Sequence, residues 1–374
     1  MSGYIGSKSS VTQVDGYTRS EADAAIQTAV DAAGAEYYEQ SDEPTSPSNG
    51  AIWYDTGFDI FYIYFNGDWA RFDYTVGVFS SGDIALFAGG YVYPTGNTAN
   101  IDKVNIGTLG NAVSHGSLAS ALTAVAAASN GQKIFFSGGA DAGGTYYNVI
   151  QSVDILSGGA TSDFGDLVTA RAYHAGASNG TRAVFGGGFN GSINQGIIDY
   201  ITMATPSNAS SFGALTAGRQ SVGSAASGQR AVFAGGDSGS FTNVMDYVTI
   251  DTTGNAVDFG DLTTSRTDTA GASGGGRGVF FAGYDGTRSN VIDYVTIATT
   301  GNATDFGDLT IGRNGGGAAS NGTRGIYGGG YNSAAAYDAT IDYVTIATTG
   351  SASEFGELTG GNQGVRAASG YYGA

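Results

Sequence analysis

A double glycine that returns every 47 to 49 residues constrains this chain more than any other feature. It stands at Gly89-Gly90, Gly138-Gly139, Gly187-Gly188, Gly235-Gly236, a degenerate Ala282-Gly283, and Gly329-Gly330. Self-similarity at that period indicates one supersecondary unit per copy, stacked on its neighbours because no copy alone buries its apolar face. Two further markers keep the same step. One is Asp-Tyr-Val-Thr-Ile or a relative, beginning at Asp102, Asp154, Asp199, Asp246, Asp293 and Asp342. The other is Phe-Gly-Asp-Leu or a variant at Phe164, Phe212, Phe259, Phe306 and Phe355, with His115 in the first copy.

Each copy holds four segments of strand length. A small one, such as Ala175-Gly-Ala-Ser, runs into Asn179-Gly180-Thr181, whose Asn-Gly pair suits the positive φ angles of a tight hairpin. Ala183-Val-Phe-Gly-Gly-Gly and Ile198-Asp-Tyr-Ile-Thr follow. A Thr-Thr-Gly-Asn turn, at Thr252 to Asn255 and Thr299 to Asn302, leads to a fourth segment such as Val257-Asp-Phe-Gly-Asp-Leu. Six such units exceed what one open twisted sheet sustains, and radial packing resolves the excess. The segment nearest the axis must then be small, as Ala225-Ala-Ser and Ala318-Ala-Ser are. The expected fold class is all-β, a six-bladed β-propeller over residues 75–374, with the Phe-Gly-Asp-Leu aromatic buried between blades. Gly364-Val-Arg-Ala-Ala-Ser-Gly matches the small segment, so the C-terminus is predicted to become the innermost strand of the first blade and close the ring.

The order Leu167, Arg171, His174, then Gly187-Gly188, then Asp199-Tyr200 resembles the kelch repeat over roughly residues 84–370. Arginine returns at Arg219, Arg266 and Arg313, whereas Leu122 and Asn362 replace it in the end copies. Phe or His115 stands where kelch repeats usually carry tryptophan, so the resemblance implies architecture rather than shared partners.

Ahead of the repeats, Thr18-Arg-Ser-Glu21 has capping-box spacing, and Ala22, Ile26, Val30 and Ala33 share one face of a predicted helix over 21–33. So short and weakly apolar a helix is marginal alone, which points to self-association into a homo-oligomer or to packing on a neighbouring domain. Residues 1–40 are thus an arm and helix for attachment or oligomerisation. Residues 41–74 comprise a Pro- and Ser-rich linker and a three-stranded aromatic meander. The pieces Gly50-x-x-Trp53-Tyr-Asp and Phe65-Asn-Gly-x-Trp69 are similar to a module of phage tail and tail-fibre proteins, as Tyr4-Ile-Gly and Gly16-Tyr-Thr-Arg-Ser-Glu-Ala-Asp are to phage fibre starts. That resemblance implies a virion protein whose N-terminus docks on other tail proteins. The start lacks the apolar stretch of a signal peptide, consistent with synthesis in a host bacterial cytoplasm and residence in a phage tail.

Composition narrows the function. Fifteen Lys plus Arg against 33 Asp plus Glu give a net charge of −18, which repels a phosphate backbone and disfavours nucleic-acid partners. No run approaches the ~20 apolar residues that span a bilayer, so membrane insertion is not expected. The absence of cysteine removes thiolate chemistry, and the two histidines both hold repeat positions, which suits a structural role. Glycine-rich strings such as that around Gly186 precede no helix and carry no nucleotide signal. No cofactor and no enzymatic activity are expected.

Two residue sets remain. Asp166, Asp261, Asp308 and Glu357 repeat around the ring as weak candidates for Ca²⁺ or as plain solvating charges. Tyr91, Phe189, Tyr284 and Tyr331 follow the double glycines on loops of one propeller face, where flat rings either stack on sugars or pack the loops. Trp53 and Trp69 present the same choice, against burial in the meander. The expected function is a tail-fibre protein whose propeller loops bind a host-surface glycan or receptor. A decoration protein contacting other virion subunits is the alternative, and a glycan-degrading propeller a third.

Overall fold

The structure, a computed structural model, describes residues 37–41, 44–46, 51–55, 60–65, 68–72 and 81–371. The chain divides into two units, Met1–Ser80 and Ser81–Ala374. In the first, Ile52–Asp55, Ile60–Phe65 and Asp68–Phe72 form the expected antiparallel meander. Tyr37–Gln40, assigned from sequence to the helical arm, is instead a fourth strand, parallel to Ile52–Asp55. Its Tyr-Tyr pair favours extended backbone, and the added strand covers one edge of a sheet too small to stand alone. The predicted helix over 21–33 and the segment 75–79 lie outside the described residues.

The second unit is a six-bladed propeller. Each blade has four main antiparallel strands, which in blades 2 to 6 run in sequence order from axis to rim. Blade 3 is representative: Ala175–Ser178, Arg182–Gly186, Ile197–Thr202 and Ser210–Ala214. The innermost strands of blades 2 to 6 are Ala126–Ser129, Ala175–Ser178, Gly223–Ala226, Ala270–Gly274 and Gly317–Ser320. The sixth comes from the far end of the chain: Arg366–Ser369 pairs antiparallel with Ile84–Ala88 of blade 1. Each innermost strand touches the next, and Arg366–Ser369 touches both Gly317–Ser320 and Ala126–Ser129, so the circle is complete. Blade 1 also gains a short strand, Gly159–Ala160, parallel to its outer strand Val113–Ser117.

Apolar burial follows the blade junctions rather than the blades. Six clusters of buried side chains each combine two consecutive blades, one cluster per junction. Phe164 is typical, packing edge-on to Phe135 of its own blade within a cluster that includes Ala183, Phe185 and Ile201 of the next. Burying such a ring contributes about 1.5–3 kcal/mol. The glycine that follows it has a separate cause: a Cβ on Gly213 or Gly356 would strike the Gly254 or Gly110 carbonyl of the next blade's turn.

The double glycines are the main-chain joint between blades. Both residues take positive φ, for example 74° and 107° at Gly187 and Gly188, a region costly for side chains. The amide of the second glycine then donates to a carbonyl of the following blade: Gly90 to Leu122, Gly139 to Arg171, Gly188 to Arg219, Gly236 to Arg266, Gly283 to Arg313 and Gly330 to Asn362. Ala282, the degenerate copy, still adopts φ 59°.

One repeat marker shifts by register. Phe136 of blade 2 stands opposite Gln151, as Phe185 stands opposite Asp199 and Phe87 opposite Asp102. Asp154 lies further along, opposite Lys133, so Gln151 and not Asp154 holds the repeat position.

Candidate ligand-binding face

Strand direction fixes what each face of the propeller carries. One face bears the hairpins between first and second strands and the turns between third and fourth. The other bears the loops after the double glycines and the connections into the next innermost strand. Those connections meet near the axis in a second closed ring. Ala124 donates to Gly364, Gly364 to Gly315, Gly315 to Asp268, Asp268 to Ser221, Ser221 to Tyr173 and Tyr173 to Ala124, all through main-chain amides and carbonyls. All six residues have φ between 55° and 73°, although only two are glycine. Inside, the innermost strands enclose an axial cavity of about 100 Å³ lined by Ala, Gly and Ser, with His174, Val222, Thr269, Arg366 and Tyr371 the larger side chains.

The propeller's ten arginines separate structural from unassigned positions. Arg171, Arg219, Arg266 and Arg313 lie just ahead of innermost strands and pair with Asp199, Asp246, Asp293 and Asp342 at 2.7–2.9 Å, all at most 1% exposed. Each carboxylate is satisfied further, as where Asp246 accepts from the amide and hydroxyl of Thr216. A buried ion pair needs such further hydrogen bonds on its carboxylate to offset desolvation, although the Nε of Arg171, Arg266 and Arg313 stays buried without a partner among the described residues. Arg182, Arg230, Arg277 and Arg324 serve on the opposite face. Each stacks over the tyrosine of its own third strand and donates to a carbonyl of the next blade, as Arg182 does over Tyr200 at 4.5 Å and to Ile250 at 3.0 Å. Blade 2 lacks both devices. Leu122 and Gln151 replace the ion pair, and Lys133 and Ser152 replace the stacked arginine and tyrosine, leaving a cavity of about 500 Å³ beside blade 3.

Arg288 and Arg366 are the two arginines outside these repeats, and both lie toward the face of the double-glycine loops. Arg366 occupies an innermost-strand position that is Ala or Gly elsewhere, and donates to the Val365 and Gly316 carbonyls. Arg288 follows blade 5's second strand, and its guanidinium carbon lies 4.4 Å from the ring centre of Tyr331.

Tyr331 is one of four tyrosines that cluster with Tyr337 as their centre. Tyr337 contacts Tyr331 at 5.1 Å and Tyr91 at 5.4 Å between ring centres, and Tyr93 stacks on it at 5.8 Å with planes 3° apart. Tyr93 is 67% exposed and the other three are half-buried. Partial burial and the neighbouring Tyr91, Tyr331 and Tyr93 hydroxyls raise the Tyr337 phenol above its ordinary value. The loops beneath are braced. Tyr91 and Gln363 exchange main-chain hydrogen bonds, Tyr331–Asn332 pairs with Arg313–Asn314, and Asn332 donates to Asp338 at 2.8 Å. Burial works to raise the Asp338 carboxyl, but hydrogen bonds from Asn332 and Thr340 and the charge of Arg313 hold it below its usual value.

The expected aromatic residues thus fall on one face but not in one cluster. Tyr91 and Tyr331, from blades 1 and 6, are joined through Tyr337. Phe189 instead meets Tyr146 edge-on, and Tyr284 meets Phe241. Trp53 is 7% exposed in the separate N-terminal unit, and Trp69 lies on the strand Asp68–Phe72. Asp166, Asp261, Asp308 and Glu357 end the outer strands of four different blades and do not converge. Among the described residues no group of three or more His, Asp or Glu side chains is placed to hold a metal ion. His174 is fully buried, its Nε2 2.9 Å from the Ser137 hydroxyl, while half-buried His115 replaces the inter-blade phenylalanine in blade 1. Sequence reasoning missed Tyr93, Tyr337 and Arg288; for the last two the available signal was the repeat position they share with Tyr146, Asn194 and Phe241, just ahead of the third strand in blades 2 to 6.

No protein-family model and no curated protein matches this chain. Its class follows from geometry: an all-β, six-bladed propeller closed by its C-terminal strand.

Proposed function

We propose that this chain is a binding protein of the phage tail-fibre type. Its N-terminal portion joins it to other virion proteins, and its propeller presents the tyrosine face to a carbohydrate or receptor on the host surface. The observation that carries the binding reading is the cluster of Tyr91, Tyr93, Tyr331 and Tyr337, which spans two blades and leaves Tyr93 largely in solvent. Flat rings with phenolic hydroxyls on braced loops suit sugar recognition, because the ring covers a C–H face while the hydroxyl serves the rim. The particle-docking part rests on the residues of the N-terminal eighty that resemble phage tail modules.

The test is adhesion of the purified full chain to a panel of bacteria and to their extracted surface polysaccharides. Selective adhesion, weakened at least tenfold by Tyr337→Ala without loss of melting temperature, is the expected result. Adhesion to none of the panel, with the protein located by imaging between subunits of a particle, would favour the decoration reading. Leu109, Val113, Leu156 and Val257, each more than half exposed, supply apolar surface for that case.

A further inference from the structure

Resting on the carbohydrate reading, we infer that the ligand of the tyrosine cluster is a sugar bearing an anionic group, held by Arg288. Eight of the ten propeller arginines are committed to carboxylates or carbonyls that repeat from blade to blade. Arg288 is not. No carboxylate lies within 4.0 Å of it among the described residues, and its side chain donates no hydrogen bond there. Its guanidinium carbon is fixed over the Tyr331 ring, and its buried Nε lacks a partner, as do those of Arg171, Arg266 and Arg313, but unlike theirs its terminal nitrogens have none either among the described residues. The stacking orients the planar group, and its two terminal nitrogens can take a carboxylate or phosphate through two parallel bonds.

The surroundings fit the same ligand. The hydroxyls of Tyr91, Tyr93, Tyr331 and Tyr337 make no hydrogen bond to another described residue, so they are available to ring hydroxyls of a sugar. Blades 5, 6 and 1 each contribute: Arg288, then Tyr331 and Tyr337, then Tyr91 and Tyr93. The net charge of −18 sharpens the argument, since the molecule as a whole repels polyanions and their retention would report a local cation.

The experiment uses the full chain and paired polymers: polygalacturonate and its carboxyl-reduced form, polysialate and its carboxyl-reduced form, and a phosphorylated mannan and its dephosphorylated form. Retention of at least one anionic polymer is expected, with loss on removal of the anionic group and at least tenfold weakening by Arg288→Gln at unchanged melting temperature. The carboxylate and phosphate arms separate the two sources of charge. Equal binding of the neutral partner, indifference to Arg288→Gln, or retention of no anionic polymer overturns the inference. Should Tyr337→Ala abolish binding to neutral polymers while Arg288→Gln changes nothing, the carbohydrate reading survives and the anionic one falls. If neither substitution alters the binding of any polymer, both fall.

Discussion

The Gly330 amide donates a 2.6 Å hydrogen bond to the Asn362 carbonyl, and this bond joins blade 6 to blade 1 across the two ends of the propeller. Five equivalent bonds link the other blades, but only this junction also needs a strand from the distant end of the chain. Residues 362–371 supply the bond, the strand Arg366–Ser369, and buried Val365. Deleting residues 362–374 should therefore lower the melting temperature by on the order of 10 °C or abolish the cooperative transition. Calorimetry checks this, and an unchanged transition would contradict closure by this strand.

The buried pair of Arg219 and Asp246 offers a test that the molecule has already run on itself. Removing one partner strands a charge and should cost about 3–5 kcal/mol. In blade 2 the same positions are Leu122 and Gln151, whose Oε1 accepts from the Ala119 amide and the Thr161 hydroxyl. Arg219→Leu combined with Asp246→Gln should thus be more stable than either single change. Urea denaturation of the full double-mutant cycle measures it.

Two neighbouring glycines separate close approach from mere glycine content. A Cβ at Gly213 would collide with the Gly254 carbonyl of the next blade, whereas a Cβ at Gly254 has nothing within 4 Å. Gly213→Ala should destabilise by about 1–3 kcal/mol, the usual cost of overpacking, and Gly254→Ala by far less. Equal effects in chemical denaturation would refute the inter-blade explanation.

His174 should give the fold an acid sensitivity. Burial first, then the charges of Arg171 and Arg366, hold it well below 6.5, so it stays neutral when folded. The unfolded chain gains a proton near pH 6.5 that the folded chain does not, so stability falls as pH drops below that value, by up to about 1.4 kcal/mol per unit. Val222 and Val365 occupy the equivalent place in blades 4 and 1. His174→Val should cost about 1–3 kcal/mol at pH 8, because the buried Ser137 hydroxyl loses its partner, and progressively less toward pH 5. Parallel stability curves would show that another group dominates.

The ring was legible in sequence because each blade repeats the same demands. Gly-Gly needs positive φ, the Phe of Phe-Gly-Asp-Leu fills a junction, and Ala-Gly-Ala-Ser fits the axis, so the markers survive divergence. Asp154 misled because blade 2 keeps an aspartate near the motif while its register places Gln151 there. The Arg171 series was visible as a repeating arginine and the Arg182 series was not read, and the partners of both lie across strands, too distant for periodicity to join. The binding face was hardest to read. Tyr337 and Arg288 stand at one repeat position, with Tyr146, Asn194 and Phe241, whose residue type changes from copy to copy, and only folding brings Tyr91 and Tyr331 together, 240 residues apart in the chain. The strand Tyr37–Gln40 escaped for a related reason, since its pairing with Ile52–Asp55 is parallel and carries no hairpin signal.

Hydrogen exchange on the full chain, with and without a polysaccharide to which it adheres, tests the placement of function most directly. Protection confined to residues 91–98, 286–290 and 331–339 is the expected footprint. Protection of the opposite hairpins at 179–182, 227–230 and 321–324 instead, or of the N-terminal unit alone, would contradict a binding face built on Tyr337.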